Sequence, residues 1–410
     1  MNLDDRFSRK WIESPGTVLV AHNYYQLRGG EDVTFETEVS AMRRLGWDVY
    51  TIECSNHEVD DSSKLKVAVQ TTWNASMAAR LQRKIEEVKP SILHVHNFFP
   101  VMSPSIHWTA KRNGVAVVQT LHNFRLGCIG GTLFRDGHIC TDCIGKLPIK
   151  GVMHKCYRDS IAGSTVVFGM LAAHRMLRTW QSKVDVFVCQ TESFRSQISQ
   201  CGLPANKLKV RPAMLAPDPG IGDGTGDYCL FVGRFSPEKG LLSLLKAWEL
   251  DPGLPALVLV GSGPLELEVK DLANRDPRIR TTGQLQKEEV FKLLKDAKAL
   301  VFPSEWFETF GLVLLEAIAC GTPVATSDVG TPHDILGDGP HVEYFERGNP
   351  ASIAAAIQRL IGDSDSTGAR RKSARSLFEE RFEESKSMAS LAEIYDEARR
   401  TAALTPQAKS

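Results

Sequence analysis

The sequence has no apolar run approaching the roughly 20 residues that cross a bilayer, so no membrane-spanning helix is expected. It has no excess of either charge. The 49 basic and 49 acidic side chains give a formal net charge of zero. That removes any general affinity for polyanions, and nucleic acid is not an expected partner. No signal peptide is expected. Met1–Lys10 is polar, and the first apolar run, residues 17–21, is too short. These absences place the chain in the cytoplasm, with a peripheral contact at the inner face of the cytoplasmic membrane left open. An Asp-x-Asp pair at a strand end, the usual seat of a divalent metal beside a diphosphate, is missing too.

What is present is ordinary globular material, 42% hydrophobic and 24% charged. A chain of 410 residues exceeds one ordinary core, so two domains of about 200 residues are expected. In the first half short apolar strands alternate with helical patterns. Strands are predicted at 17–21, 47–53, 91–96, 115–121, 184–189 and 207–210, with a polar loop from His22 to Arg28. Helices are predicted at 33–45, 75–88, 105–113, 164–181 and 193–200. This alternation predicts an α/β fold with a parallel sheet covered on both faces. Residues 212–227, dense in Pro, Gly and Asp, read as a linker. The alternation then restarts at 228, and residues 366–405 read as helical. The expected boundaries are 1–215, 216–380 and a C-terminal helix and tail at 381–410, with an insert at 126–158. Two such sandwiches could face one another across a cleft, a preferred place for a ligand.

Ligands bind beyond the carboxyl ends of the strands in open parallel sheets. In the first half those ends carry Gly29-Gly30, His96-Asn97 and His122-Asn123. In the second half they carry Gly233-Arg234, with Lys239 following before the next helix. An arginine fork and a lysine point charge in one loop suit a diphosphate. Glu308 and Glu316 are separated by seven residues. Glu308 sits in an aromatic turn with Phe307, Phe310 and Gly311, and Glu316 lies in the apolar helix that follows. Acidic residues at a helix N-terminus often do no more than stabilise its dipole, by about 0.3–1 kcal/mol. That suffices for Glu308 alone. Glu316, among Leu312, Val313, Leu314, Leu315, Ala317 and Ile318, calls for a partner, because a buried carboxylate is costly without one.

Together, Gly233-Arg234…Lys239-Gly240 and Glu308…Glu316 resemble the second domain of family-4 retaining glycosyltransferases of the GT-B fold. Gly29-Gly30 and His122 fit the first domain, and the stretch near Phe378–Ala398 resembles the family's final helix, which implies that the C-terminal helix crosses back to that domain. His22-Asn-Tyr-Tyr, Thr120-Leu-His-Asn-Phe-Arg and the cysteine-containing stretch after Leu133 are similar to a bacterial surface-polysaccharide subgroup. The resemblance implies a hexosyltransferase that moves a sugar from a nucleotide-diphosphate sugar, with retention, to a glycan or polyprenyl-diphosphate-linked acceptor. It implies that Glu316 holds the ribose hydroxyls and Glu308 faces the sugar. Backbone N–H groups of Phe310, Gly311 and Leu312 contact sugar or phosphate, and Arg234 and Lys239 stabilise the leaving diphosphate. Gly29 and Gly30 let backbone approach the phosphate, and His122 lies near the reacting carbon. Asn97, beside His96 at its strand end, is a further candidate substrate contact. No dedicated nucleophile is evident, which suits a front-face displacement. Catalysis in the wider family needs no metal. The rival readings are a sugar-nucleotide epimerase of the same architecture, which needs first-domain carboxylates where the strand ends offer His96, Asn97 and His122 instead, and a non-catalytic sugar-nucleotide-binding protein.

Five of the nine cysteines, Cys54, Cys189, Cys201, Cys229 and Cys320, read as small core residues. Cys128, Cys140, Cys143 and Cys156 have the spacing C-x11-C-x2-C-x12-C and are candidate ligands of a structural zinc. Reduced structural cysteines or a redox-labile pair are the alternatives. Lys146, Lys150, Lys155 and Arg158 in the same insert suit an anionic membrane or lipid diphosphate, or simply a solvated loop.

Overall fold

The computed structural model describes residues 16–26, 28–58, 64–362 and 367–404. The polar stretch Met1–Lys10 and the tail after Leu404 lie outside the described residues. Contacts divide the chain into two units. One comprises Met1–Leu133, Thr141–Met214 and Glu384–Ser410; the other comprises Phe134–Cys140 and Leu215–Glu383.

The first unit holds six parallel strands: β1 (Val18–Tyr24), β2 (Val49–Ser55), β3 (Ile92–Val95), β4 (Ala116–Thr120), β7 (Val186–Cys189) and β8 (Leu208–Val210). Their order is β2-β1-β3-β4-β7-β8. The second unit holds β9 (Tyr228–Val232), β10 (Ala256–Val260), β11 (Ile279–Gly283), β12 (Ala299–Phe302), β13 (Val324–Ser327) and β14 (Val342–Phe345), in the order β11-β10-β9-β12-β13-β14. All these pairings are parallel. Strands such as β3 (ILHV), β7 (VFVC) and β12 (ALVF) are buried along their whole length, as a sheet covered by helices on both faces requires. Between them β5 (Phe134–Arg135) and β6 (His138–Ile139) pair as a small antiparallel hairpin, which groups with the second unit. In each sheet the order reverses once, at β1/β3 and at β9/β12. Those switch points are where such sheets open a binding crevice at their carboxyl edge.

Several elements differ from their sequence reading. β1 runs on through His22, Asn23 and Tyr24, read above as loop. His22 and Asn23 are buried and each is tied down by part of its side chain: His22 Nε2 lies 2.8 Å from Asp32, and Asn23 Nδ2 donates to Asn56 at 2.7 Å and to the Phe99 carbonyl at 2.8 Å. The first helix starts at Gly30, three residues earlier than expected. β14 and the helix Thr331–Leu336 were not anticipated, being short and mixed in composition. The helical stretch 366–405 is two helices, Thr367–Arg381 and Glu384–Leu404, broken where Phe382 turns into the core. The second of these belongs to the first unit, with Met388, Leu391, Tyr395 and Ala398 buried. The linker composition at 212–227 does not give a free tether. Gly222, Gly224 and Gly226 donate to the carbonyls of Cys320, Lys295 and Asp296 at 2.8–3.0 Å. Arg371 spreads its guanidinium over the carbonyls of Gly222, Lys295, Ala297 and Cys320.

Candidate active site

In the second unit, β12 ends at Phe302 and leads into the turn Trp306-Phe307-Glu308. Gly311, at φ +80°, then opens the helix Leu312–Ala319. That left-handed φ favours glycine at the helix lip. Phe310 is buried beneath it. Of the first-turn N–H groups at this lip, that of Leu314 donates to the Gly311 carbonyl at 2.9 Å, and those before it come too early in the helix to find an acceptor within it. Glu308 is only 5% exposed and accepts from Ser304 Oγ at 2.9 Å. It also forms an ion pair with Lys239. Thr331 Oγ1 fixes its backbone carbonyl at 2.6 Å. Lys239 arrives on the loop after β9, its ammonium 5.2 Å from the centre of the Trp306 ring. Gly240 follows at φ +68°, where an added Cβ would lie 1.8 Å from the Pro303 carbonyl oxygen. Only glycine lets the cationic loop sit this close to the end of β12. Arg234, on the same loop, is exposed, and its guanidinium has no side-chain partner among the described residues.

Glu316 lies half-buried on the side of the helix away from the core, which Leu314, Leu315, Ala317 and Ile318 fill. Its carboxylate has no hydrogen-bond or ion-pair partner among the described residues. Burial pushes its pKa up, opposed by Lys287. The second unit thus gathers Lys239, Glu308 and the helix lip, with Arg234 on the same loop and Glu316 farther along the helix.

In the first unit the carboxyl edge around β1, β3 and β4 carries the remaining candidates. Gly29 caps the helix Gly30–Arg44, and its N–H donates to Asp32 Oδ2 at 2.9 Å. The other Asp32 oxygen accepts from His22 Nε2 at 2.8 Å, so one buried carboxylate ties the Gly29-Gly30 loop to β1. Asn97 braces the neighbouring loop: its amide donates to the Asn23 carbonyl at 2.7 Å and accepts from the Phe99 N–H at 2.9 Å. His122 follows β4 and is 9% exposed. Its Nε2 lies 3.1 Å from His96 Nδ1, and His96 Nε2 lies 3.2 Å from Glu38 Oε1. Burial pushes the His122 pKa well below the usual imidazole range, and His96 and His22 add to the effect.

Sequence reasoning passed over Asp32, Glu38, Arg211 and Glu31. Asp32, three residues after Gly29, had the spacing of a capping box as its signal. Glu38 and Arg211 had none, because the ion pair joining them spans distant elements. Glu31 accepts from Asn123 Nδ2 at 2.6 Å and from Tyr25, and burial pushes it up to about 7 against the Asn123 bond. The first unit therefore does hold a carboxylate beside the strand ends, contrary to the sequence reading.

Among the described residues, one group of His, Cys and acidic side chains converges closely enough to grip a cation: Glu38, His94 and His96, with ligand atoms within 4.8 Å. A guanidinium already serves as its cation. Arg211 pairs with Glu38, and the two nitrogens of His94 meet Tyr395 Oη at 2.9 Å and Thr120 Oγ1 at 2.7 Å. Among the described residues, Cys128, Cys140, Cys143 and Cys156 do not converge in this way. Cys140 belongs to the second unit and the other three to the first. Cys54, Cys189, Cys201, Cys229 and Cys320 are buried, as the apolar context of several had suggested. No helix among the described residues is long and apolar enough to cross a membrane.

Residues 28–214 match the family described as Glycosyltransferase Family 4, and residues 222–377 match Glycosyl transferases group 1. An uncharacterized glycosyltransferase of Methanocaldococcus jannaschii is 34% identical over 301 residues, 71% of this chain and 72% of that protein. The O-antigen chain mannosyltransferase B of Escherichia coli is 34% identical over 119 residues, 27% of this chain and 31% of that protein. Among solved structures, Anabaena HepE in complex with UDP-glucose superposes with a TM-score of 0.65 at 14% identity, covering 92% of this chain and 98% of that one. Matched along both halves and sharing the two-sheet architecture of GT-B glycosyltransferases, the chain belongs to the family-4 glycosyltransferases.

Proposed function

We propose that the protein transfers a hexose from a nucleotide-diphosphate sugar, with retention, to a glycan or lipid-linked acceptor in the assembly of a bacterial polysaccharide. The observation that carries this reading is Glu316: a half-buried carboxylate without a partner, on the helix whose lip carries the Lys239–Glu308 pair. Such a group suits two ribose hydroxyls, which would donate to it and repay its desolvation. Arg234 and Lys239 would then hold the diphosphate. Glu308 and the N–H groups of Phe310, Gly311 and Leu312 would meet the sugar. From the first unit, the Gly29-Gly30 loop would approach phosphate and His122 would contact the sugar near its reacting carbon. The acceptor hydroxyl oxygen forms the new bond to that carbon as the bond to the diphosphate breaks. The hydroxyl proton passes to the leaving phosphate, whose charge Arg234 and Lys239 stabilise. HepE, crystallised with UDP-glucose, and the E. coli O-antigen mannosyltransferase support the donor class and the polysaccharide setting by likeness.

Thermal-shift titration against a panel of nucleotide sugars tests the reading, since stabilisation follows RT ln(1 + [L]/Kd). One donor is expected to stand out, and Glu316→Ala to weaken it by at least about tenfold, the equivalent of one lost charged hydrogen bond. A panel without a stabilising member, or Glu316→Ala binding as wild type does, would overturn it.

A further inference from the structure

Behind His122 lies a chain of buried groups that the transfer reaction does not itself use. Arg211 pairs with Glu38 and donates from Nε to the Ser387 carbonyl at 3.1 Å. Glu38 Oε1 meets His96 Nε2 at 3.2 Å, and His96 Nδ1 meets His122 Nε2 at 3.1 Å. The rings of His96 and His122 are 5.3 Å apart with planes 22° from parallel. Glu38, His96 and Arg211 are each at most 3% exposed.

The direction of each bond follows from elementary chemistry. Burial alone would raise the pKa of Glu38, but Arg211 and the hydrogen bond from His96 hold it well below the usual carboxylate range. A carboxylate only accepts, so His96 Nε2 carries the hydrogen. The Arg211–Glu38 pair is already balanced in charge, so the cluster calls for no further cation. In a neutral imidazole the other nitrogen accepts. His96 Nδ1 therefore takes the Nε2–H of His122, and His122 Nδ1 is left with its lone pair.

We propose that Glu38 and His96 are positioning residues that hold His122 as its Nε2–H tautomer, so that the atom it offers the substrate is a hydrogen-bond acceptor. Nδ1 of His122 has no partner among the described residues, and His122 keeps a sliver of exposed surface. An acceptor at this point takes a sugar or acceptor hydroxyl and rejects a phosphate oxygen. The inference rests on the reading of His122 as a substrate contact and adds what kind of group it contacts.

The test is 15N NMR of the full chain carrying 15N-histidine, with His122 assigned from the spectrum of His122→Asn. Wild type is expected to show a pyrrole-like Nε2 and a pyridine-like Nδ1 at His122. In Glu38→Gln the amide oxygen faces Arg211 and the NH2 faces His96, so both imidazoles should switch and His122 Nδ1 should become pyrrole-like. Turnover should then fall about 10- to 100-fold, by analogy with the loss of a hydrogen-bond partner that orients a metal-bound histidine, with donor KM little changed because Glu38 touches no substrate. If Glu38→Gln does not fold, His96→Phe keeps the ring volume and leaves Glu38 paired with Arg211; His122 should then populate both tautomers. A wild-type His122 carrying Nδ1–H overturns the proposal. So does an unchanged His122 pattern in the folded variant, or a switched tautomer with unchanged turnover. The spectrum needs no turnover, so absence of donor binding sinks the proposed function without touching this result.

Discussion

At the residue scale, the first unit pairs the charge of Glu38 with Arg211, while Asp32 meets a His22 imidazole whose pKa burial lowers, and Glu31 stands apart with neutral hydrogen-bond partners. Burial raises its pKa from 4.5 to about 7. The folded state therefore holds this proton more tightly than the unfolded state does. The stability it contributes is full below about 4.5 and is lost as pH rises through about 7. Glu31→Gln removes that dependence. Thermal melts from pH 4.5 to 8 should show the variant gaining on wild type as pH rises, by about 1–3 kcal/mol at roughly 1.4 kcal/mol per pKa unit. A difference constant across that range would show that Glu31 has no raised pKa. Residues that act alone were legible in the sequence: Glu316 stood out as an acid in an apolar helix, and His122 as a polar strand end. Residues that act through partners were not, because Glu38 on the first helix and Arg211 after β8 meet only once the sheet has formed.

At the scale of elements, the cationic loop after β9 depends on how closely it packs against the end of β12. Gly240→Ala would place a carbon 1.8 Å from the Pro303 carbonyl oxygen at a φ of +68°. It should cost at least about 1–3 kcal/mol of stability and displace Lys239, read by denaturant melts and donor titration. Gly29→Ala is the contrast. Its added carbon meets nothing within 4 Å at a φ of −133°, so stability should stay within about 0.5 kcal/mol of wild type. Equal effects would refute the packing argument. Long periodic elements were readable from composition. The helix Ala75–Val88, capped by Asn74 and closed by the left-handed Lys89 before Pro90, was predicted to the residue. β14 was not, because four residues of mixed character carry too little pattern to separate strand from loop.

At the scale of the whole molecule, the first unit is closed by the chain's last described helix, Glu384–Leu404. Tyr395 is fully buried, with its hydroxyl 2.9 Å from His94 Nδ1 and its ring 6.0 Å from Trp47. Met388, Leu391, Ile394 and Tyr395 each bury a side chain worth about 1.5–3 kcal/mol, against a total stability of about 5–15 kcal/mol for an ordinary domain. A chain stopped after Glu383 should therefore lose the first unit, while the second, whose core lies within Leu215–Glu383, keeps a cooperative melt. Retention of the full wild-type circular dichroism by this truncation would refute the assignment. The division into two parallel sheets was visible in the restart of alternation at Tyr228; the return of this helix to the first unit carries no signal in its own periodicity and was expected only from the family resemblance.

That closing helix also sets an order of assembly on the ribosome. The strands of the first unit emerge first, yet the helix that packs against β3, β4 and β7 leaves the exit tunnel only after all of Leu215–Glu383 has been made. The half of the protein that is translated first is therefore completed last. Until then its sheet keeps an apolar face open, and that face is the surface a nascent-chain holdase would meet.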